Sequence, residues 1–325
     1  MIHAHPTPEL LNASRRYVLV SPCRDEAEFM RRTLDSVATQ TVPPALWVIV
    51  DDGSTDQTPQ ILAEYEKKLP YLRVVTRKDR GERRVGPGVI EAFYAGLDTV
   101  SLEDFGYVCK LDLDLDLPPA YFETLMNRME RDSRLGTTSG KPYFTHPRSG
   151  KFVPEVCGDE MSVGMTKFYR VECFREIGGF VREVMWDGID CHRCRMLGWI
   201  AESVDARGLR FHHLRPMGSS QQSIWTGRIR SGFGQYFMGT SAVYLFAIAA
   251  YRLSKHPVLI GSAAMIYGYM KSAVTGVRRY EELGFRRFLR DYQRDCLLYG
   301  KREATRRINE VQAKIWRARH SCYTQ

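Results

Sequence analysis

The run "KLDLDLDLPP", Lys110 to Pro119, alternates leucine with aspartate and stops at two prolines. In extended backbone successive side chains point to opposite faces, so Leu111, Leu113, Leu115 and Leu117 line one face and Asp112, Asp114 and Asp116 the other. Carboxylates two positions apart are separated by roughly 6.6 Å and, at a partly buried site, repel by about 2.5 kcal/mol per pair. Such a row calls for a cation or for solvent. A half-exposed strand with polar residues outside is the plain alternative, but aspartate is among the poorest strand formers, which weighs against three in alternation. Two further acidic pairs, Asp25 with Glu26 and Asp51 with Asp52, stand just after or at the end of short apolar runs.

The elements that must carry these acids follow from periodicity. "YVLVSP" and "ALWVIVDDGSTD" read as buried strands, each followed by a helical pattern, "DEAEFMRRTLDSVATQ" and "TPQILAEYEKKL", and then by the strand "LRVVTR". Strands alternating with helices predict an α/β fold with a doubly wound, mostly parallel, Rossmann-like sheet. Ligands of such sheets lie beyond the carboxyl ends of the strands. Asp25 and Glu26, Asp51 and Asp52, and Asp112 and Asp114 all fall at such ends, so three segments converge on one crevice. Helix capping is the competing role for acids there, as for Asp56 ahead of "TPQIL".

At these residues the chain resembles the family 2 glycosyltransferases. "VLVSPCRDEAEFMRRTLDSVATQT" is similar to their opening strand and helix, with Asp25 where asparagine is common. "WVIVDDGSTDQT" and "LDLDLDLPPAYFETL" resemble the family's nucleotide segment and its Asp-x-Asp segment. "WDGIDCHRCRMLGW" resembles the acceptor-side Glu-Asp segment, with Trp186 in place of the glutamate and Arg193 and Gly198 five apart. The resemblance covers roughly residues 17 to 215 and implies the GT-A fold.

It also implies the chemistry. A sugar leaves a nucleotide diphosphate, and a Mn²⁺ or Mg²⁺ ion held by Asp114, with Asp112 and His213, would bridge the phosphates. Asp25, Glu26, Asp51 and Asp52 would accept hydrogen bonds from base and ribose, Asp112 would reach the ribose, and Arg215 would pair with phosphate. The expected nucleotide is UDP, with GDP and dTDP as the alternatives. Inversion at the sugar requires a carboxylate to take the acceptor's proton; Asp187 fills that role, with Asp190 as the fallback. As the N-cap of its helix Asp187 would be structural instead. Arg228 and Arg230 extend the phosphate site in this reading, whereas the basic loop "DRGERRVGPG" lacks the lysine of a Walker loop and reads as exposed.

Charge narrows the partners. The 325 residues carry a formal net charge of +9, and from Lys271 to Gln325 fourteen Lys or Arg face six Asp or Glu, so this tail holds +8 of it. Charge without a reading motif argues against nucleic acid. Eight scattered cysteines fit reduced thiols; Cys191 and Cys194 have zinc-like spacing, but no second pair follows.

Three regions are expected: a polar leader, 1–16, without signal-peptide character; a GT-A domain, 17–230; and a helical, basic C-terminal region, 231–325. Two apolar runs there, "AVYLFAIAAY" and "PVLIGSAAMIYGYM", are too short for ordinary spans, and "FRRFLRDYQRDCLLY" is basic and amphipathic. Attachment of 231–325 to an anionic membrane surface is expected, which places the protein on the cytoplasmic, inner face of the cell membrane. The acceptor is then a lipid-linked glycan of surface polysaccharide synthesis. The rival functions are a catalytically inactive, membrane-docking nucleotide-binding protein and a sugar-phosphate nucleotidyltransferase. The latter needs a glycine-rich loop where this chain has "SPCRDEAEF".

Overall fold

A computed structural model of the chain describes residues 15–79, 81, 86–147, 149–215, 224–253 and 260–320. The expectations for the leader up to residue 14, for Arg80, Arg83 and Arg84, and for 216–222 lie outside these residues. The chain divides into two compact units: residues up to 84, 88–179 and 201–215 in the first, and 85–87, 180–200 and 216 onward in the second.

The strands are, in chain order, β1 (Tyr17–Cys23), β2 (Leu46–Asp51), β3 (Leu72–Thr76), β4 (Tyr107–Leu111), β5 (Leu115–Asp116), β6 (Leu135–Ser139), β7 (Lys141–Thr145), β8 (Phe152–Pro154), β9 (Thr166–Arg170), β10 (Ile200–Ser203) and β11 (Arg210–His213). They form a seven-stranded sheet ordered β10-β6-β9-β4-β1-β2-β3 and a four-stranded sheet ordered β5-β11-β7-β8. β3, β2, β1 and β4 are parallel, and β9 enters antiparallel between β4 and β6. The helices of this unit are α1 (Met30–Ala38), α2 (Thr58–Lys68), α3 (Pro87–Leu97), α4 (Tyr121–Arg131) and α5 (Val171–Glu176).

Strand β1 is buried from Tyr17 to Val20, which requires cover on both faces. α3 lies over the face of Val20, Val48 and Val50, approaching so closely that a Cβ on Gly96 would lie 2.6 Å from Val50. The opposite face carries Tyr17, whose ring is 4.9 Å from Phe122 of α4. The alternation of β1 therefore separates two helical layers with one sheet between them, the mixed α/β architecture expected from the strand and helix patterns.

The Leu-Asp run departs from the expected single strand. β4 ends at Leu111, Asp112 to Asp114 leave the sheet, and β5 resumes for two residues in the other sheet. The leucines remain buried throughout. The poor strand propensity of aspartate and the repulsion of adjacent carboxylates account for the break.

The second unit is helical: α6 (Trp186–Met196), α7 (Ile224–Met238), α8 (Ala242–Arg252), α9 (Ile260–Val274), α10 (Phe285–Tyr299) and α11 (Lys301–Arg319). α7 and α9 meet backbone to backbone: a Cβ on Gly268 would lie 2.1 Å from the Ile229 carbonyl oxygen, and one on Gly232 1.9 Å from that of Met265. Tyr236, Leu245, Ala249, Met265 and Tyr269 form the core shared by α7, α8 and α9. In α10 the apolar face predicted from sequence exists, but Phe285 and Leu289 pack with Ile189 and Met238, and Tyr292 and Cys296 pack with Ala304. That face is occupied inside the unit. Among the described residues, no helix is long and apolar enough to cross a membrane.

Candidate active site

Four carboxyl ends of strands in the first unit supply the candidate site. The turn after β1 puts Asp25 in a left-handed conformation, φ 53°. Its backbone amide donates to Ser54 Oγ at 2.9 Å, and its carboxylate accepts from the Thr55 amide at 2.7 Å. The loops after β1 and β2 are thereby stitched together. Glu26 adds an amide bond to Thr58 Oγ1 at 2.9 Å, and its carbonyl accepts from Phe29 and Met30 at the start of α1.

The two aspartates ending β2 have different partners. Asp51 accepts from the Ser54 amide at 2.9 Å, which shapes the turn of "DDGST". Asp52 accepts from Arg77 at 2.6 Å, and Arg24 spans from the Asp52 carbonyl to Asp79. Gly53 within that turn has φ 79°, and a Cβ there would lie 2.5 Å from the Asp79 Cα, so neither the backbone angle nor the space admits another residue.

The acidic row finds its cations in the chain itself. Lys110, buried at the end of β4, donates to the Asp112 carboxylate and, at 3.0 Å, to the Gly164 carbonyl. Arg215 pairs with Glu26 and places its Nε 3.4 Å from Asp114 Oδ2, with its guanidinium over the Phe29 ring. His213 faces the same Asp114 oxygen, Nε2 to Oδ2 3.6 Å. Asp116 lies apart from this group, paired with Arg32 at 2.6 Å where both side chains are substantially exposed.

Burial holds the Asp112 carboxyl above the usual carboxylate range even with Lys110 beside it. For Asp114 burial works in the same direction, but His213 and Arg215 outweigh it and bring the carboxyl below that range. Burial works against a charged His213 ring as well; the Asp114 and Glu155 carboxylates overcome it and push the ring up to about 9. The two aspartates are thus held in opposite senses two residues apart.

Asp114 also tests whether a divalent ion fits. Its Oδ1 is buried without a hydrogen-bond partner, while Oδ2 faces an imidazole nitrogen. A buried carboxylate oxygen left unsatisfied costs free energy unless something ligates it, and oxygen donors with one imidazole suit Mn²⁺ or Mg²⁺. Asp114 and His213 supply donors of that kind face to face, and Asp112 stands two residues before Asp114 in the chain.

Two functional side chains escaped the sequence reading. Glu155 accepts from His213 Nδ1 at 2.9 Å, an arrangement in which a carboxylate fixes the ring and leaves Nε2 for a ligand. It stands in the loop "PEVCGDE" after β8, where a lone glutamate carries no motif. Lys110 opens the Leu-Asp run, but its inward direction is set by a register that only the sheet reveals.

The proposed bases lie in the second unit. α6 starts at Trp186 with Met185 at the cap position in a left-handed conformation, φ 68°, so Asp187 falls in the first turn instead of at the cap expected for a structural role. Asp187 is half-buried, and Asp190, fully buried, accepts from the Cys191 amide at 2.7 Å. Trp186 packs its ring 4.9 Å from Phe180. Arg193 pairs with Glu282 at 2.7 Å, and Gly198, φ 91°, lets α11 approach within 2.7 Å of where a Cβ would be. Cys191 and Cys194 are both buried and free of disulfides, and Arg228 and Arg230 lie on α7.

Sequence similarity to a known family lies in the first half of the chain. Residues 18–156 match the Glycosyl transferase family 2 model. An uncharacterized glycosyltransferase of Escherichia coli is 24% identical over 123 residues, 38% of this chain and 33% of that protein. A poly-beta-1,6-N-acetyl-D-glucosamine synthase of Staphylococcus epidermidis is 29% identical over 130 residues, 39% of this chain and 28% of its own length. The match thus spans a third or less of these curated relatives. Among solved structures, GalNAc-T7 with UDP, GalNAc and Mn²⁺ superposes with a TM-score of 0.56 at 14% identity, covering 87% of this chain and 57% of that one, which shows a shared GT-A-like fold.

Proposed function

Taking the family 2 glycosyltransferase segment at residues 18–156 on a GT-A-like fold as the premise, we propose that this protein is an inverting, metal-dependent glycosyltransferase of bacterial surface polysaccharide or exopolysaccharide synthesis. It moves a sugar from a nucleotide-sugar, with UDP as the nucleotide, to a hydroxyl of a lipid-linked glycan. The observation that carries this is the Asp114 carboxylate, with one buried oxygen unpartnered and the other facing His213 and Arg215 at the strand ends.

The roles follow from what each side chain offers. Asp25, Glu26, Asp51 and Asp52 present acceptors to the hydroxyl and N–H donors of a nucleoside. Asp114, Asp112 and His213 would hold Mn²⁺ or Mg²⁺, which would supply positive charge against the diphosphate. Arg215, a planar donor fork already in the site, pairs with phosphate oxygens. Asp187 takes the proton of the acceptor hydroxyl, and Asp190 is the fallback base. The region 231–325 holds the protein on the inner face of the cell membrane, where a lipid-linked acceptor is met. The poly-beta-1,6-N-acetyl-D-glucosamine synthase among the relatives supports polysaccharide synthesis as the setting.

A second reading, an inactive nucleotide-binding protein, rests on Trp186 standing where the family has a glutamate. Calorimetric titration of UDP, GDP and dTDP, with and without Mn²⁺, into the wild type and Asp114→Ala tests the donor site. Turnover of the matching nucleotide-sugar by the wild type and Asp187→Asn then separates the readings. Binding that needs metal and Asp114, with turnover that needs Asp187, supports the enzyme. Binding with no turnover on any glycan lipid supports the inactive protein.

A further inference from the structure

Helices α8 and α9 are apolar on two sides. Their inner sides build the core shared with α7. On the outer side of α9, Ile260, Ala263, Tyr267, Met270 and Val274 recur at spacings of three and four, and all are exposed, Val274 at 83%. On α8, Val243, Phe246 and Ala250, with Leu253 just past its end, repeat the same spacing and are exposed too, Val243 at 70%. A helix with an apolar inner face and a polar outer face is the rule at a water-exposed surface; one that is apolar all round belongs beside protein or lipid on every side.

The charges select between those neighbours. From Ala206 to Tyr280 the sequence runs 75 residues without an aspartate or glutamate and contains ten Lys or Arg. Each helix carries one charged residue, Arg252 on α8 and Lys271 on α9, and both are positive. A second copy of the chain seated on this face would oppose cation to cation, whereas an anionic leaflet attracts each of them. The exposed aromatic rings of Phe246 and Tyr267 suit the headgroup boundary. The contact of α7 with α9 through Gly232 and Gly268 is the close, small-residue packing by which helices associate where lipid removes the hydrophobic drive between them. At 1.5 Å per residue the 15 residues of α9 measure about 22 Å, short of the roughly 30 Å core of a bilayer, so the helix lies in one leaflet.

We infer that the outer faces of α8 and α9 are the lipid-contacting surface of this protein, taking a bilayer rich in anionic lipid, and that the basic helix α10 is not. This deepens the membrane part of the proposed function and rests on it. The inference locates the contact in a stripe of apolar side chains, with the cations as a rim.

The test is flotation of the full chain with vesicles of phosphatidylglycerol and phosphatidylcholine, compared with phosphatidylcholine alone. The wild type is expected to float with the anionic vesicles. Phe246→Ser with Tyr267→Ser and Val274→Ser is expected to lower vesicle partitioning about tenfold or more, with an unchanged melting temperature, because these side chains are exposed. Arg286→Gln with Arg287→Gln and Arg290→Gln, on α10, is expected to lower it less than about threefold. Normal flotation of the stripe variant with loss in the α10 variant overturns this inference while leaving membrane attachment standing. Failure of the wild type to float on either vesicle overturns the attachment itself. Sedimentation without lipid is expected to show the same association state for wild type and stripe variant; a wild-type oligomer that the stripe variant dissolves would assign the face to a second copy and end the proposal.

Discussion

Glu155 and His213 share a contact of 2.9 Å between a carboxylate oxygen and Nδ1, joining the loop after β8 to the end of β11. Both side chains are more than nine-tenths buried, so the ring has one orientation and its Nε2 is aimed at Asp114. Glu155→Ala is expected to weaken Mn²⁺ binding about 10- to 100-fold in the presence of the matching nucleotide. Glu155→Gln, which can still accept from Nδ1, is expected to recover most of that loss. Calorimetric titration of Mn²⁺ reads both; equal affinities for wild type and Glu155→Ala would remove the positioning role.

Asp114 and Asp116 are two residues apart and differ in everything the site needs. Asp114→Ala is expected to abolish metal-dependent nucleotide binding. Asp116→Ala breaks an exposed pair with Arg32 and is expected to cost at most about 1 kcal/mol of stability with nucleotide affinity retained. Matching losses of affinity in the two variants would overturn this division.

Lys110 is buried against Asp112. Lys110→Met leaves the half-buried Asp112 carboxylate without that cation, and the expected destabilisation is about 1–3 kcal/mol by urea unfolding. Adding Asp112→Asn should recover a substantial part of it, because the charge needing compensation is gone. A double variant as unstable as the single one would show that Lys110 acts through packing alone.

The pH dependence of the metal-free protein follows from His213. Its folded value, about 9, lies above the ordinary 6.5, so the stabilisation is complete below about pH 6.5 and is lost as pH rises through about 9. Asp114 has the opposite sign: its carboxyl is held below the usual range, and its contribution disappears on acidification. Melting temperatures in EDTA are expected to fall across pH 6.5 to 9 and to flatten in His213→Gln. A wild-type profile that stays level over that window would contradict the charged ring.

The sequence disclosed the sheet because β1 and β2 are buried on both faces and read as continuous apolar runs, with helices between them. It disclosed the acidic ends for the same reason, since each acid follows such a run. Its errors came where two neighbours compete for one segment. The Leu-Asp alternation kept its buried leucines but was divided between two sheets, a choice made by β11 pairing with Leu115 and Asp116. The apolar face of α10 was legible, but its cover is Ile189 and Met238, more than forty residues away in the chain, which periodicity cannot supply. Glu155 was invisible because its place at the site depends on meeting His213, 58 residues on.

Arg215 gives the site a built-in counter-ion. With its guanidinium between Glu26 and Asp114, one positive charge faces two carboxylates, and His213 faces the second of them as well. A metal ion held by Asp114 would compete with this guanidinium, which would then be free to pair with phosphate oxygens. An exchange of this kind predicts a donor affinity with only a weak dependence on ionic strength.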